Sequence, residues 1–434
     1  MVKLVLFILL TLAYVTEYAS FSVLVVIGIY FITFKGKRGN LPAQTVLISF
    51  GIFHLIPFVF YFMSQEGNRY IMLDINEELN SANIVWANLI FGLFLLGFSY
   101  TGFRSFIYST STRGWVKNYL FGIIILALVG KLIQISQVLS YGYISSHLGE
   151  GLNKRNPIFG IIEFLMPMTI GYLYFYRKKV AIPLILIYAS LLLLTGMRLP
   201  FFGLIFTLFI LVRWQNQWIF RWYHVVLGSL IIPAFLLFSQ VSRLDINLSD
   251  VNEQYGTSNF YVAAVESQLE VLNTTNDLLF ASEQIKLNHF NPFYFIGNFI
   301  DLLGRKFSGK KVANMEERAE IGNYGYLVYQ RFNGENYSQG KTAGGSALAE
   351  VYYYFWLIGP LLFGLLISYF VQTLKLLLDS NLLLGNLLVF AIIPYLLRFF
   401  RDGYMVIIFF VFLYILLSSF IVKIKVIKNV KRVN

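Results

Sequence analysis

The sequence predicts an all-α, polytopic membrane protein with about 12 transmembrane helices. Composition is the first ground, since 57% of the 434 residues are apolar and only 13% are charged, against about 25% charged residues in a soluble domain. The second ground is that the apolar residues form runs long enough to cross a bilayer core of about 30 Å. The third is that Lys and Arg cluster at the ends of these runs, as membrane topology requires.

The apolar runs allow twelve spans to be placed along the chain. They cover residues 4–14, 19–34, 41–63, 84–103, 119–139, 158–176, 180–194, 201–212, 225–240, 351–372, 382–400 and 404–422. The first two runs are short and are separated around Glu17, so one long bent helix and a total of eleven spans is the alternative. We favour two separate spans. The chain has no cysteine, which excludes disulfides, thiol catalysis and Cys-based metal sites.

The basic residues orient these spans, because Lys and Arg accumulate in short cytoplasmic loops. With the N-terminus inside, most basic clusters fall on the cytoplasmic side. They are Lys35, Lys37 and Arg38; Arg104, Arg113 and Lys117; Arg177, Lys178 and Lys179; Arg213 and Arg221; Lys375; and Lys423, Lys425, Lys428, Lys431 and Arg432. This distribution, with no basic face along one element, also argues against nucleic-acid binding.

Three regions follow from the span pattern. Residues 1–240 form N-terminal transmembrane helices, 241–350 a large external loop, and 351–434 the last three transmembrane helices and a basic cytoplasmic tail. The loop holds 9 Lys and Arg against 13 Asp and Glu. Helical spacing of apolar residues at 261–272, and an aromatic-rich stretch at 291–307, predict amphipathic helices in it.

Four arginines from separate segments lie at the outer membrane level of this topology. Arg198 sits in a Gly- and Pro-containing break between two spans, Arg243 follows the ninth span, and Arg398 and Arg401 end the eleventh. Guanidinium groups match phosphate oxygens bidentately and keep their charge, so the set suits an undecaprenyl-pyrophosphate lipid and its stabilisation as a leaving group. Any single one of them can equally be an arginine that snorkels to lipid headgroups. For the set we favour a functional role.

Further candidates for chemistry each have a structural alternative. Gly344 and Gly345 either permit tight packing at the end of the loop or, with Ser346, contact substrate. Glu350 is either a carboxylate favoured by a helix start or a general base for a sugar hydroxyl. Asp402 is most simply an ion-pair partner that orients Arg401. His289, the only histidine of the long loop, is a candidate base by residue type alone. No motif for a metal or a nucleotide is present, so no metal and no cofactor are expected.

Several of these segments, in this order, resemble the recurring elements of Wzy-type O-antigen polymerases. They are Thr195-Gly196-Met197-Arg198, Arg243 after a span, Gly344 to Glu350 followed by an aromatic span with Gly359-Pro360, and Arg401-Asp402-Gly403. The large external loop before the last three spans is similar as well. The resemblance implies a GT-C-like fold in the bacterial inner membrane, with a periplasmic active site.

The resemblance also implies an activity. A metal-independent glycosyltransferase would transfer the growing O-antigen or capsular glycan from undecaprenyl pyrophosphate to a hydroxyl of the next lipid-linked repeat unit. Its catalytic candidates are Glu350, Asp402 and His289. Its substrate-binding candidates are Arg198, Arg243, Arg398, Arg401, Gly344, Gly345 and Ser346. A chain-length regulator membrane protein is an expected partner, besides the lipid-linked substrates and the bilayer.

Other interpretations remain open at this stage. An O-antigen ligase uses the same donor but needs an external catalytic histidine, and His289 is not set in a recognisable motif. A polyprenyl-monophosphate-sugar transferase would need a large first outer loop around Glu77-Glu78, which the chain lacks. A lipid-linked oligosaccharide flippase is expected to have two related halves, and the single large insertion has no counterpart.

Overall fold

The structure is a computed structural model that describes residues 2–16, 18–56, 81–100, 108–112, 116–141, 157–195, 198–216, 346–379, 383–402, 411–418 and 422–426. Within these ranges the chain is helical except for one short pair of strands. The helices are α1 Val2–Thr16, α2 Ala19–Gly36, α3 Leu41–Phe50 continued by a π-helical turn Gly51–Leu55, α4 Ser81–Phe98, α5 Val116–Tyr141, α6 Pro157–Tyr176, α7 Lys178–Leu194, α8 Arg198–Asn216, α9 Ala347–Phe355, α10 Ile358–Asp379, α11 Leu383–Asp402 and α12 at 411–418. The strands are β1 Tyr108–Thr112 and β2 Val422–Val426.

The two strands pair antiparallel, with Tyr108 opposite Val426 and Thr112 opposite Val422. The apolar runs did not predict these strands. The predicted twelfth span ends at 422, where β2 begins, and from there Val and Ile alternate with Lys, which is the period of a strand and not of a helix.

Among the described residues, three helices are long and apolar enough to cross a membrane: Ala19–Gly36, Ile358–Asp379 and Leu383–Phe400. Several helices are apolar but shorter: Phe7–Thr16, Leu41–Leu55, Ile84–Phe98, Gly122–Gln137 and Pro200–Phe209. The prediction of a helical membrane protein is therefore confirmed. The total of twelve spans stays a prediction.

Helix boundaries agree with most of the predicted spans in the described ranges. Helices α1 and α2 are separate and pack against each other, as expected for two segments rather than one bent helix. Helices α6 and α7 are separated at Arg177, within the basic cluster that the sequence assigned to a cytoplasmic loop.

The tenth predicted span, 351–372, is wrong in its boundaries. Helix α9 ends at Phe355, and the spanning helix α10 begins only at Ile358. Between them Trp356 has a φ of 51°, a conformation that breaks the helix although its residue type does not suggest a break. Gly359 closes this corner, because a Cβ there would lie 2.5 Å from the Val351 carbonyl.

The chain forms two compact units. Unit 1 contains residues 1–105, 269–373 and 396–410, and unit 2 contains 106–268, 374–395 and 411–434. The three predicted regions, 1–240, 241–350 and 351–434, stay predictions, because most of the loop lies outside the described residues.

In unit 1, helices α2 and α4 run in the same direction. Near their first halves, the Asn88 amide donates to Ser22 Oγ at 2.8 Å. At their other ends, the Lys37 ammonium donates to the Tyr100 carbonyl at 3.0 Å and to Ser368 Oγ of α10 at 2.8 Å. Lys37 is only 4% exposed, so this residue, assigned by sequence to a cytoplasmic loop, joins the ends of α2 and α4 to the middle of α10 inside the protein.

Helix α10 follows the direction of α4, since Gly364 lies against the backbone of Phe94 and Ser368 donates to the Tyr100 carbonyl at 2.6 Å. Helix α3 runs the opposite way, because it starts directly after Lys37 and brings Phe50 onto Tyr30 of α2. Residues 396–402 of α11 run alongside α3, as Ser49 contacts Leu397. These directions are the ones that the predicted topology assigns to α2, α3, α4, α10 and α11.

Unit 2 is built around residues 383–395 of α11, most of which are buried. The backbone at Asn386 passes directly over Gly171 of α6, and Pro394 lies over Gly203 of α8. Tyr414 of α12 stacks on Phe164 of α6, with ring centroids 4.2 Å apart.

Candidate active site

The arginine-bearing end of α11 is fixed by aromatic packing in unit 1. Phe399 and Phe400 are 1% and 0% exposed. Phe399 stacks on Phe363 of α10 at 5.2 Å, and Phe400 meets Phe50 and Phe94 at 5.4 and 5.3 Å. The last turns of α11 are therefore held against three other helices.

Three sequence-predicted positions share one side of this helix end. Positions 398, 401 and 402 are spaced i, i+3 and i+4, which places them on a common helix face, while Phe399 and Phe400 pack into the core. Arg398 is half-buried. Arg401 and Asp402 belong to the helix, but their side chains lie outside the described part of the structure.

Helix α3 meets this helix end through two polar residues that the sequence analysis missed. The buried Ser49 hydroxyl donates to the Leu397 carbonyl at 2.8 Å. His54, which is 0% exposed, lies in the π-helical turn with its ring 5.1 Å from Phe400 and 4.6 Å from Phe91. A histidine inside an apolar run was the available sequence signal, since polar groups at membrane depth are costly and usually have a use.

Glu350 lies in the first turn of the short helix α9. Ser346 is the N-cap of α9, and its hydroxyl accepts from the Ala349 N–H at 3.3 Å. Glu350 is only 1% exposed, and its position near the helix start favours a negative charge. Ser346, predicted as a substrate contact, thus has a capping role, and the capped helix start contributes to the stability of the buried carboxylate.

Helix α4 links α9 with the end of α11. The Trp86 indole N–H donates to the Tyr352 hydroxyl of α9 at 3.0 Å, while Phe91 and Phe94 of the same helix contact His54 and Phe400. Trp86 and Phe94 are eight positions apart, about 12 Å along a helix axis. Glu350 and Arg398 therefore lie on helices that contact one common helix about two turns apart.

The remaining predicted residues lie in unit 2 or outside the described residues. Arg198 is the first residue of α8 in unit 2, directly after the predicted break, where the buried Thr195 hydroxyl bonds back to the Leu192 carbonyl at 2.9 Å. Arg243, His289, Gly344 and Gly345 lie outside the described residues.

One buried amine was noted in the sequence, in the fifth predicted span. Lys131 of α5 is 0% exposed and donates to Gln134 Oε1 at 2.8 Å. Its suspected partner Glu163 has no described side chain. Within the described ranges, no three His, Asp or Glu side chains gather as a metal site would require.

The described helices and their mainly apolar cores define a helical membrane protein with ionisable side chains at one end of an aromatic core. A family model for O-antigen polysaccharide polymerase Wzy matches residues 1–432, nearly the entire chain. The chain therefore belongs to the Wzy family of O-antigen polysaccharide polymerases, and the resemblance drawn from its motifs is confirmed. Membership makes it a polymerising glycosyltransferase of polysaccharide biosynthesis that acts on lipid-linked oligosaccharide repeat units in a membrane. Comparisons with curated proteins and with solved structures gave no match.

Proposed function

We propose that this polymerase transfers the growing O-antigen or capsular glycan from undecaprenyl pyrophosphate to a hydroxyl of the next lipid-linked repeat unit. The reaction takes place at the periplasmic face of the bacterial inner membrane, in a GT-C-like fold of about 12 spans, and needs neither a metal nor a cofactor. A chain-length regulator membrane protein is the proposed partner. Residues 241–350 form the external loop over the site.

The observation that carries this proposal is the fixed end of α11, where Arg398 lies half-buried above two fully buried phenylalanines. Positions 398 and 401 share a helix face at the end of the helix that the predicted topology puts outside. Arginine at this level can hold a pyrophosphate bidentately. Family membership supplies the reaction class, and a pyrophosphate is the leaving group that the arginines stabilise.

The roles of the other candidates follow from the chemistry of transfer. Glu350 accepts the proton of the attacking sugar hydroxyl. Asp402 orients Arg401 through an ion pair. Arg198 and Arg243 add pyrophosphate contacts, and Gly344 and Gly345, just before the Ser346 cap of α9, contact substrate. His289 is kept as an alternative base.

The test is a complementation series of Arg→Lys and Arg→Ala at 198, 243, 398 and 401, with matched expression and glycan length read on gels. A compact ammonium cannot reproduce two parallel donor bonds, so Lys should substitute poorly. Loss of one such contact is expected to cost about 2 to 4 kcal/mol, or roughly 30- to 1000-fold in rate.

Matched controls are Arg38→Lys and Arg177→Lys, both at exposed positions that the topology assigns to the cytoplasm. They should give normal glycan ladders. Near-normal ladders from all four Lys variants at the proposed site would remove the pyrophosphate role, because a snorkelling arginine is replaced by Lys at little cost.

A further inference from the structure

We propose that α3 and its π-helical turn position the arginine-bearing end of α11 for catalysis, through Ser49 and His54. This inference rests on the proposed function, since it assigns the pyrophosphate contacts to Arg398 and Arg401. Ser49 and His54 are positioning residues: they act on the backbone and on Phe400 between the two arginines.

Ser49 acts on the same carbonyl that the backbone of Arg401 uses. Its hydroxyl donates to the Leu397 carbonyl at 2.8 Å, and in an α-helix that carbonyl also accepts from the N–H four residues later, at position 401. A hydroxyl inside a helix usually bonds to its own helix. Thr45 of the same helix does so, donating to the Leu41 carbonyl at 3.1 Å. Ser49 instead connects α3 with α11 in the turn that carries both arginines.

His54 lies among phenyl rings. The ring is fully buried and lies 4.6, 5.1 and 5.3 Å from Phe91, Phe400 and Phe50. A phenylalanine could pack against the same three rings, whereas an imidazole also offers a hydrogen-bond donor and an acceptor. An imidazole at this position therefore indicates a polar contribution beside Phe400, which hydrophobic packing alone does not require.

The π-helical turn explains how His54 comes to face α11. It begins at Gly51, where a Cβ would lie 2.9 Å from the hydroxyl oxygen of Tyr30, so the tip of this side chain from α2 lies against the backbone of α3. A π-helical turn changes the direction in which the following residues point relative to a continuous α-helix, and such turns often occur at functional sites. The turn therefore presents His54, its fourth residue, to Phe400.

If Arg398 and Arg401 stabilise a leaving group, small shifts of their side chains have large effects on the reaction rate. A misplacement of about 1 Å can cost about 100-fold in rate, because only preorganised charges stabilise a transition state. Loss of positioning should therefore lower kcat and leave the KM for the lipid-linked donor nearly unchanged.

The experiment measures polymerisation by the purified full chain in detergent, with an undecaprenyl-pyrophosphate-linked repeat unit as substrate and rates normalised to monodisperse protein. Ser49→Ala and His54→Phe should each lower kcat about tenfold with the KM changed less than twofold. His54→Phe should keep or raise thermal stability. His54→Gln, which retains a polar N–H, should recover at least a third of the wild-type kcat. The control Thr45→Val removes an equally buried hydroxyl of α3 and should leave kcat unchanged.

A kcat within twofold of the Thr45→Val control for both Ser49→Ala and His54→Phe would overturn this inference. Arg398→Lys and Arg401→Lys are measured alongside. If the arginine variants are inactive while the Ser49 and His54 variants are fully active, the positioning role alone is wrong. If the arginine variants are fully active, the proposed function itself is wrong.

Discussion

Gly97 of α4 and Gly364 of α10 lie against each other where the two helices cross. A Cβ on Gly97 would overlap the backbone of Leu361, and a Cβ on Gly364 would overlap the backbone of Phe94. The two helix backbones are therefore in direct contact, the geometry that small residues permit between membrane helices. This contact sets the position of α10 relative to α4. Helix α4 in turn contacts both α9, which bears Glu350, and the end of α11, which bears Arg398.

We expect Gly97→Ala and Gly364→Ala each to destabilise the protein by more than about 2 kcal/mol, because a methyl group must push two backbones apart. Gly28→Ala in α2 is the control, since nothing lies within 4 Å of its Cβ position, and Ala is favoured over Gly in a helix by up to about 1 kcal/mol. The measurement is the monodisperse fraction after a heat series in detergent. Equal melting of Gly97→Ala and Gly28→Ala would show that the helices are not in contact.

Trp356 offers a test of the corner between α9 and α10. Its indole is about half exposed, at 49%, and its backbone has a φ of 51° and a ψ of −149°, a region that non-glycine residues enter at a cost of about 1 to 3 kcal/mol. Trp356→Gly and Trp356→Ala both remove the indole, so their difference isolates the backbone. The Gly variant should be the more stable by about 1 kcal/mol. A more stable Ala variant would contradict the left-handed corner.

The predicted orientation can be tested directly, because the native chain has no cysteine. Gly36→Cys and Val430→Cys should be protected from membrane-impermeant thiol reagents in intact spheroplasts, whereas Gln254→Cys and Glu335→Cys should be labelled. The physical reason is the accumulation of Lys and Arg beside the first pair of positions. Labelling at 430 with protection at 335 would reverse the orientation.

Sequence patterns predicted the parts of the fold that depend on composition and length. The membrane-protein class, the break at Arg177, and the separation of α1 from α2 all follow from apolar runs and the charged residues between them. The helix start after Thr195 was visible for a similar reason, because Gly and Pro mark a break. The family resemblance was carried by short motifs whose order along the chain is more specific than any one of them.

The other features of the fold and of the candidate site depend on contacts between residues far apart in the chain, and the periodicity of the sequence does not predict such contacts. Lys37 has the sequence context of a loop charge, but its ammonium is buried against the Tyr100 carbonyl and the Ser368 hydroxyl. Trp356 breaks a run that composition continues. His54 and Ser49 look like ordinary polar residues in an apolar run, and only their contacts with Phe400 and Leu397 give them a role.

A substitution at Glu350 distinguishes a catalytic role of this carboxylate from a structural one, because the two roles predict different effects on rate and stability. We expect Glu350→Gln to lower the polymerisation rate by about 100-fold or more, because the amide cannot accept the proton of the acceptor hydroxyl, while most of the protein remains folded. If the carboxylate served only the start of α9, the same change would cost about 0.3 to 1 kcal/mol of stability and would leave the rate of the folded fraction intact.

Asp379→Asn is the matched control. That carboxylate pairs with Lys375 at 3.1 Å on the partly exposed end of α10, an exposed pair worth about 0.3 to 0.5 kcal/mol. It should change neither rate nor folding measurably. A Glu350→Gln variant as active as Asp379→Asn would leave His289 as the remaining candidate base.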